Sequence, residues 1–430
     1  GYGNIISMDR KKHKEIVQSM LTKTPAEKAI NVINPQTWLR VLRNISDATE
    51  SATKIGEFRA ALRSGATPQE AAYRARDLMD FARAGSSVRQ VNKVVAFLNS
   101  NIQGKSKLIR SIQRDPLGVG ARLVTSMAVP SIGAYALNYQ LANERQKAQI
   151  KDAPDWLRDT FWLIAVPGTD IVARIPKPFE GAAVANVVER FMQYMIDNDP
   201  EAFDGFLKAT VSEQSIPVML TGLTPIVEGM ANYSFFRQAP IIPQRERYVE
   251  RKDQYDIYTS EVAKVLAGGV GKVFGEETNF SSPRVMDNTI KGVTAGLGIY
   301  VTDAVDAMIG KNKPAKNVTQ LPVIKAFTVN PNSSGKSMDF VYSEASKLTK
   351  EKNSNKETFD KEKELKYLNA VKSEISELSK EIRAIQNDPK MSPEAKREKL
   401  NTLIRKRNDL AIKAVEDYKK GNKLIVPFKK

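Results

Sequence analysis

The chain has 430 residues but only one histidine, His13, and no cysteine. Those two counts remove most side-chain chemistry. Without thiols there is no disulfide framework, no thiolate nucleophile and no cysteine-ligated metal. A Ser–His–Asp triad would have to use His13, which sits among Arg10, Lys11, Lys12 and Lys14 in a run that reads as solvated surface. Two stretches end in Gly-Lys-Ser, Asn99 to Ser106 and Asn330 to Ser337. Both lack the first glycine of a phosphate loop. Pro331 stiffens the second, and the first follows a helix pattern instead of a strand. The glycines at 268–275 and 292–298 do not form a dinucleotide fingerprint. Asp77 and Asp80, beside Arg76 and Arg83, read as helix-surface ion pairs and not as an acid–base couple. The expectation is a protein without catalytic residues, metal or cofactor.

The charge points to partners instead. Lys and Arg number 66 against 49 Asp and Glu, a net +17. Residues 341–430 carry 23 and 15 of these, so a surplus of 8 falls in the last 90 residues. No block of like charge marks a nucleic-acid arm, and the bias favours diffuse contact with DNA or anionic membrane. The basic side chains proposed to face DNA are Lys105, Lys107, Arg110, Arg405, Lys406 and Arg407. The opening Gly1-Tyr2-Gly3-Asn4 has no initiator Met and no secretory pattern. It reads as the edge of a longer chain or as the scar of a removed tag.

The elements that would position these groups are mostly helices. Thr24-Pro25-Ala26-Glu27 and Thr67-Pro68-Gln69-Glu70 repeat an N-cap with proline at the first helical position. Residues 47–64, 67–84 and 87–102 follow as amphipathic helices. Residues 161–175 place two β-prone runs around Pro167-Gly168-Thr169-Asp170, which predicts a hairpin. A helix follows through Val184, Val187, Val188, Phe191 and Met195. Residues 214–242 are punctuated by prolines into short helices. A helix is predicted over 250–266, with a glycine-rich stretch after it, and another from Ser282-Pro283 toward Met308. Near the C-terminus, Leu365, Leu368, Val371, Ile375, Leu378, Ile382 and Ile385 step by threes and fours. After Asn387-Asp388-Pro389, Ser392-Pro393 starts a second helix with Leu400, Leu403, Ile404, Leu410 and Ala414 inward, predicting an antiparallel helical hairpin. The fold class is therefore mainly α: a multi-helix body, a small β-hairpin near 161–175 and a C-terminal antiparallel helical hairpin. The expected divisions are an N-terminal helical segment (1–50), the body (51–330), a linker (331–360) and the charged hairpin (361–430).

Leu123 to Asn143 has no charged side chain over 21 residues, about the length that crosses a bilayer core. Pro130, Gly133 and several polar residues dilute it. It reads as a buried helix, as a helix that meets lipid or a neighbouring protomer in one state only, or as a transmembrane anchor. The side chains such a face would use are Leu123, Val124, Met127, Val129, Ile132, Tyr135 and Leu137.

One ordered set of motifs is more specific. Asp80-Phe81, Arg83, Gly85, Asn92, Phe97, Asn99 and Gln103-Gly104 come first. They are followed by Phe161-Trp162, the block Ile175 to Glu180, Glu189-Arg190, Pro225 through Glu228 to Asn232, and Phe236-Arg237. Pro240 to Pro243, Ser282-Pro283 and Gly296 to Gly298 complete the series. Over about residues 55–330 the chain resembles the large polyvalent protein-associated domain of tailed-phage internal virion (DNA-ejection) proteins. Ala96 and Ser100 depart from its pattern, which often has Pro and Ala there. The resemblance implies a structural protein carried in the virion interior and passed to the host cell envelope, in the periplasm or inner membrane. There it would form a ring or tube with further copies of itself, beside other ejection or portal-vertex proteins. Non-specific contact with double-stranded DNA and possible contact with the host membrane follow from the same role. It carries no catalytic residues over. The alternative is a non-specific nucleic-acid-binding module of a large phage or mobile-element protein.

Overall fold

In a computed structural model, residues 51–77, 108–178, 181–197, 202–203, 224–294, 298–309, 313–321, 324–333, 335–354 and 359–420 are described. The helices predicted before residue 47 and over 87–102 lie outside them. The chain divides into two compact units, 1–111 and 112–430.

In the first unit, residues 51–63 are helical. Gly65 turns the chain at φ +87°, a backbone that favours glycine. Thr67 Oγ1 then accepts from the Glu70 amide at 3.2 Å and starts α1, Pro68–Asp77. The predicted cap operates here.

The second unit begins with α2, Pro116–Leu141, started by Asp115, whose carboxylate accepts from the Gly118 amide at 2.8 Å. Next come α3 (Glu144–Lys151) and α4 (Asp155–Thr160). The predicted hairpin follows, β1 (Phe161–Ala165) antiparallel to β2 (Val172–Pro176), with Trp162 opposite Ile175. Gly168, at φ +73°, occupies the turn. Helix α2 lies on this hairpin through a narrow stripe. Met127, Ser131 and Ala134 are buried. The Trp162 indole donates to Ser131 Oγ at 2.9 Å. Two turns on, Asn138 pairs with the strand as another strand would, donating to the Leu163 carbonyl and accepting from the Ala165 amide. Ala185 of α5 (Ala182–Ile196) closes that core.

Beyond it are α6 (Thr224–Ala231) and a two-residue pairing of β3 (Tyr233–Ser234) with β4 (Ala239–Pro240). Three helices succeed them: α7 (Glu261–Phe274), α8 (Pro283–Val293) and α9 (Gly298–Ile309). Two predicted boundaries move. The helix expected over 250–266 is a single tight turn at Arg251–Asp253; α7 starts later, where Ser260 Oγ accepts from the Ala263 amide, and runs through Gly268, Gly269 and Gly271. The helix expected from 283 toward 308 is two helices: Thr294 is the C-cap of the first, and its hydroxyl accepts from the Gly298 amide at 2.9 Å where the second begins. Gly292 is needed for packing, since a Cβ there would stand 2.5 Å from Pro225 of α6.

The C-terminal region is a three-helix bundle. Helices α11 (Glu362–Asn387) and α12 (Pro393–Lys419) form the predicted hairpin, each about 40 Å long at 1.5 Å per residue. The third member is α10, Lys336–Ser354, which replaces most of the expected linker. Met338, Val341, Ala345 and Leu348 recur at helical spacing and are fully covered by Leu365, Leu368, Val371, Ile375, Ala411 and Ala414. The hairpin also seats on the body: Ile382, Leu400 and Ile404 enclose Ile257.

Candidate functional site

Two buried ion networks hold the body, and both use residues of the motif series. Beneath the hairpin, Lys177 is buried, and its ammonium donates to the Arg158 carbonyl at 2.6 Å, to Asn186 Oδ1 at 2.7 Å and to Glu189 Oε2 at 2.8 Å. Arg190 donates to Asp159 Oδ1 at 2.8 Å, and Arg158 to Gln193 Oε1 at 2.7 Å. Burial pushes the Lys177 pKa down and the Glu189 pKa up, against the pull of their pairing. Lys177→Met is expected to cost about 1–3 kcal/mol in urea unfolding; Glu189, pushed toward its neutral form, then keeps only the Arg158 charge, at a reduced penalty. The double variant Lys177→Met, Glu189→Leu is expected to recover part of that loss.

The second network lies deeper in the sequence order. Arg284, just past the Ser282-Pro283 helix start, grips both oxygens of Glu246 and reaches Asp256 at 3.0 Å. Asp256 also accepts from the Tyr258 amide at 2.8 Å. Burial, the largest single influence, would raise the Asp256 pKa, but the charges of Arg284, Arg245 and Lys291 and the Tyr258 amide together outweigh it, and the value falls to about 2. Nearby, Glu228 accepts from the Phe235 amide at 2.7 Å and from Asn288 Nδ2 at 3.0 Å, while Arg237 donates to Asn288 Oδ1. Asn232, at φ +50°, accepts from the Ile242 amide. Glu228, Asn232 and Arg237 thus brace a turn and are engaged with each other's neighbours. Spacing gave no sign of the Arg284–Glu246 pair, which spans 38 residues; the helix start at Ser282-Pro283 is the one local signal beside it.

These residues border a cleft of about 830 Å³ between the body and the bundle, lined among others by Trp156, Arg245, Arg284, Tyr258, Arg383 and Arg407.

The Gly-Lys-Ser end at 335–337 has a different job. Where a phosphate would sit, the Asp152 carboxylate accepts from the Ser337 amide and its carbonyl accepts from the Lys336 amide, both at 2.8 Å. The helix α10 start is therefore filled by the protein's own anion.

The residues proposed to face DNA are scattered. Lys105 and Lys107 lie outside the described residues. Arg110 stands 3.7 Å from Asp77. Arg405 is half-buried, 4.0 Å from Asp170, and Lys406 borders a shallow acidic depression with Glu374, Glu377 and Glu381. Arg407 does not face outward at all; it is 8% exposed, because α12 turns it from the solvent side toward the cleft. Lys396 and Arg397 are buried as well, so the bundle's charge is not all on solvated faces.

The apolar candidates do share one helix. Of α2, Val124, Val129, Ile132 and Leu137 are exposed, Leu123 and Tyr135 are half-buried, and Met127 is inside. The reading of 123–143 as a buried helix is corrected: its stripe against β1 and α5 is narrow, and only 17% of its most apolar window is covered. Helix α5 continues the uncovered surface with Val187, Phe191 and Met195. Helix α2 is the single described helix long and apolar enough to cross a membrane.

No curated protein and no solved structure matches the chain. The motifs Asp80 to Gly104, where the resemblance began, fall outside the family match as well as outside the described residues. From the end of α3 to the start of the short helix at Ile324, residues 148–324 match the family described as large polyvalent protein associated domain 38, and the chain carries a domain of that family.

Proposed function

We propose that this protein is a structural, non-catalytic component of a phage DNA-ejection apparatus, forming a channel or scaffold across the host envelope. The carrying observation is the uncovered apolar surface of α2 and α5 on a domain otherwise held by buried ion networks. Such a surface on a folded protein marks a contact with lipid or with another chain. At 26 residues, α2 is about 39 Å long, more than the roughly 30 Å of a bilayer core. The domain's association with large phage polyvalent proteins supports the setting. The net charge of +17 suits a wall beside DNA phosphates, bound weakly and in a salt-dependent way. In this reading the protein acts as a multimer, first inside the virion and then in the envelope.

The test combines native mass with flotation on liposomes containing anionic lipid. Assemblies of several copies that float with vesicles and leak a trapped dye are expected. Replacing exposed Val129 and Ile132 together by arginine is expected to lower flotation more than about tenfold while leaving the melting temperature within about 2 °C. A strictly monomeric protein that ignores vesicles, or one that binds short duplexes tightly through a few arginines, overturns the proposal; the latter result would establish the nucleic-acid module instead.

A further inference from the structure

Arg407 is a buried cation whose charge the surrounding structure does not match. Its neighbours in the cleft are engaged: Arg284 with Glu246 and Asp256, and Arg245 with Glu246 at 3.3 Å. The Arg407 Nε is buried without a hydrogen-bond partner, and among the described residues no carboxylate oxygen lies within 4 Å of its guanidinium. Burial, and then the repulsion of Arg245, push its pKa down to about 9. Seven Lys and Arg line the cleft against five Asp and Glu, so the wall keeps a positive surplus. Arg383 of α11 lines the same cleft, as do the aromatic residues Trp156, Tyr255 and Tyr258.

We infer that this cleft binds a phosphate-bearing small molecule, with the Arg407 guanidinium gripping the phosphate oxygens. An arginine fork fits an oxyanion in two parallel hydrogen bonds, and such bonds are strongest away from water. A volume of about 830 Å³ lies within the range of small-molecule sites and admits a ligand of nucleotide size. Duplex DNA carries the same phosphate chemistry, but an 8%-exposed arginine is out of reach of a phosphate on a rigid duplex. This site is independent of the envelope role and of the α2 surface.

The test uses the full chain in chloride buffer, titrated with inorganic phosphate and pyrophosphate by calorimetry and thermal melting at matched ionic strength. A one-to-one complex and a rise in melting temperature of about 2–4 °C at saturation are expected. Arg407→Met, which removes an unmatched buried charge, is expected to melt at or above the wild type without phosphate and to gain nothing from it. Arg407→Lys keeps the charge without the fork and is expected to bind at least about fivefold more weakly. No phosphate-specific heat or melting shift in the wild type overturns the inference. So does an equal shift in Arg407→Met, or a shift that only a 20-base-pair duplex, used as the probe of the DNA source, produces. Should Arg407→Met fail to fold, the wild-type titration and Arg407→Lys decide.

Discussion

Arg284→Ala is expected to destabilise the protein by about 3–5 kcal/mol, the cost of leaving buried carboxylates without their cation. Glu246, 10% exposed, loses both guanidinium hydrogen bonds and keeps only Arg245 at 3.3 Å, while Asp256, about a third exposed, loses its nearest cation. Urea unfolding followed by tryptophan fluorescence measures this, since Trp156 lines the same cleft. A change below about 1 kcal/mol would show that the pair is not buried in solution. The same network sets an acid limit. The Asp256 pKa is about 2 in the fold against 3.8 when unperturbed, so its stabilisation is fully present above about pH 4 and is lost as pH falls through the folded value. Unfolding free energy measured from pH 5 downward is expected to fall, and in Asp256→Asn that part of the slope should vanish.

Gly335→Ala is expected to cost about 3 kcal/mol or more, as overpacking against a backbone that cannot retreat. A Cβ at that position would stand 2.0 Å from an Asp152 carboxylate oxygen and 2.1 Å from its carbonyl oxygen. The carboxylate could rotate aside, but the carbonyl is fixed by the Lys336 amide. Lys336→Ala is expected to be near neutral by the same measurement. A phosphate loop predicts the reverse order of importance with respect to nucleotide binding, so the two variants together separate a structural glycine from a catalytic one.

Local periodicity made the helices of the bundle readable. Leu365 through Ile382 are inward because threes and fours on one chain suffice to define a face. The hairpin at 161–176 was readable for the same reason, with its turn residues between two β-prone runs. Which face is covered is a different question. The absence of charge from Leu123 to Asn143 identified a helix, but burial depends on distant Trp162 and Ala185, which cover only a stripe. Arg407 looked solvated beside Arg405 and Lys406, yet the one-residue step from exposed Lys406 turns the helix by about 100° and carries Arg407 inward. The Arg284 network joins residues far apart in sequence and left no local trace. The motif series was visible without its meaning: Lys177, Glu189, Glu228 and Arg237 form hydrogen bonds within the fold that the spacing alone did not show.

The Asp152 clasp also fixes an order of events during synthesis. Its partner Ser337 lies 185 residues downstream, and the hairpin edge waits nearly as long for Val329, whose amide bonds the Val172 carbonyl at 2.8 Å. Non-local closures of this kind are slow, whereas α11 and α12 pair across a short turn. On the ribosome the body emerges first but stays open until α10 arrives, with its hairpin edge unpaired in the meantime. A fragment ending at residue 324, the limit of the family match, would remain in that open state.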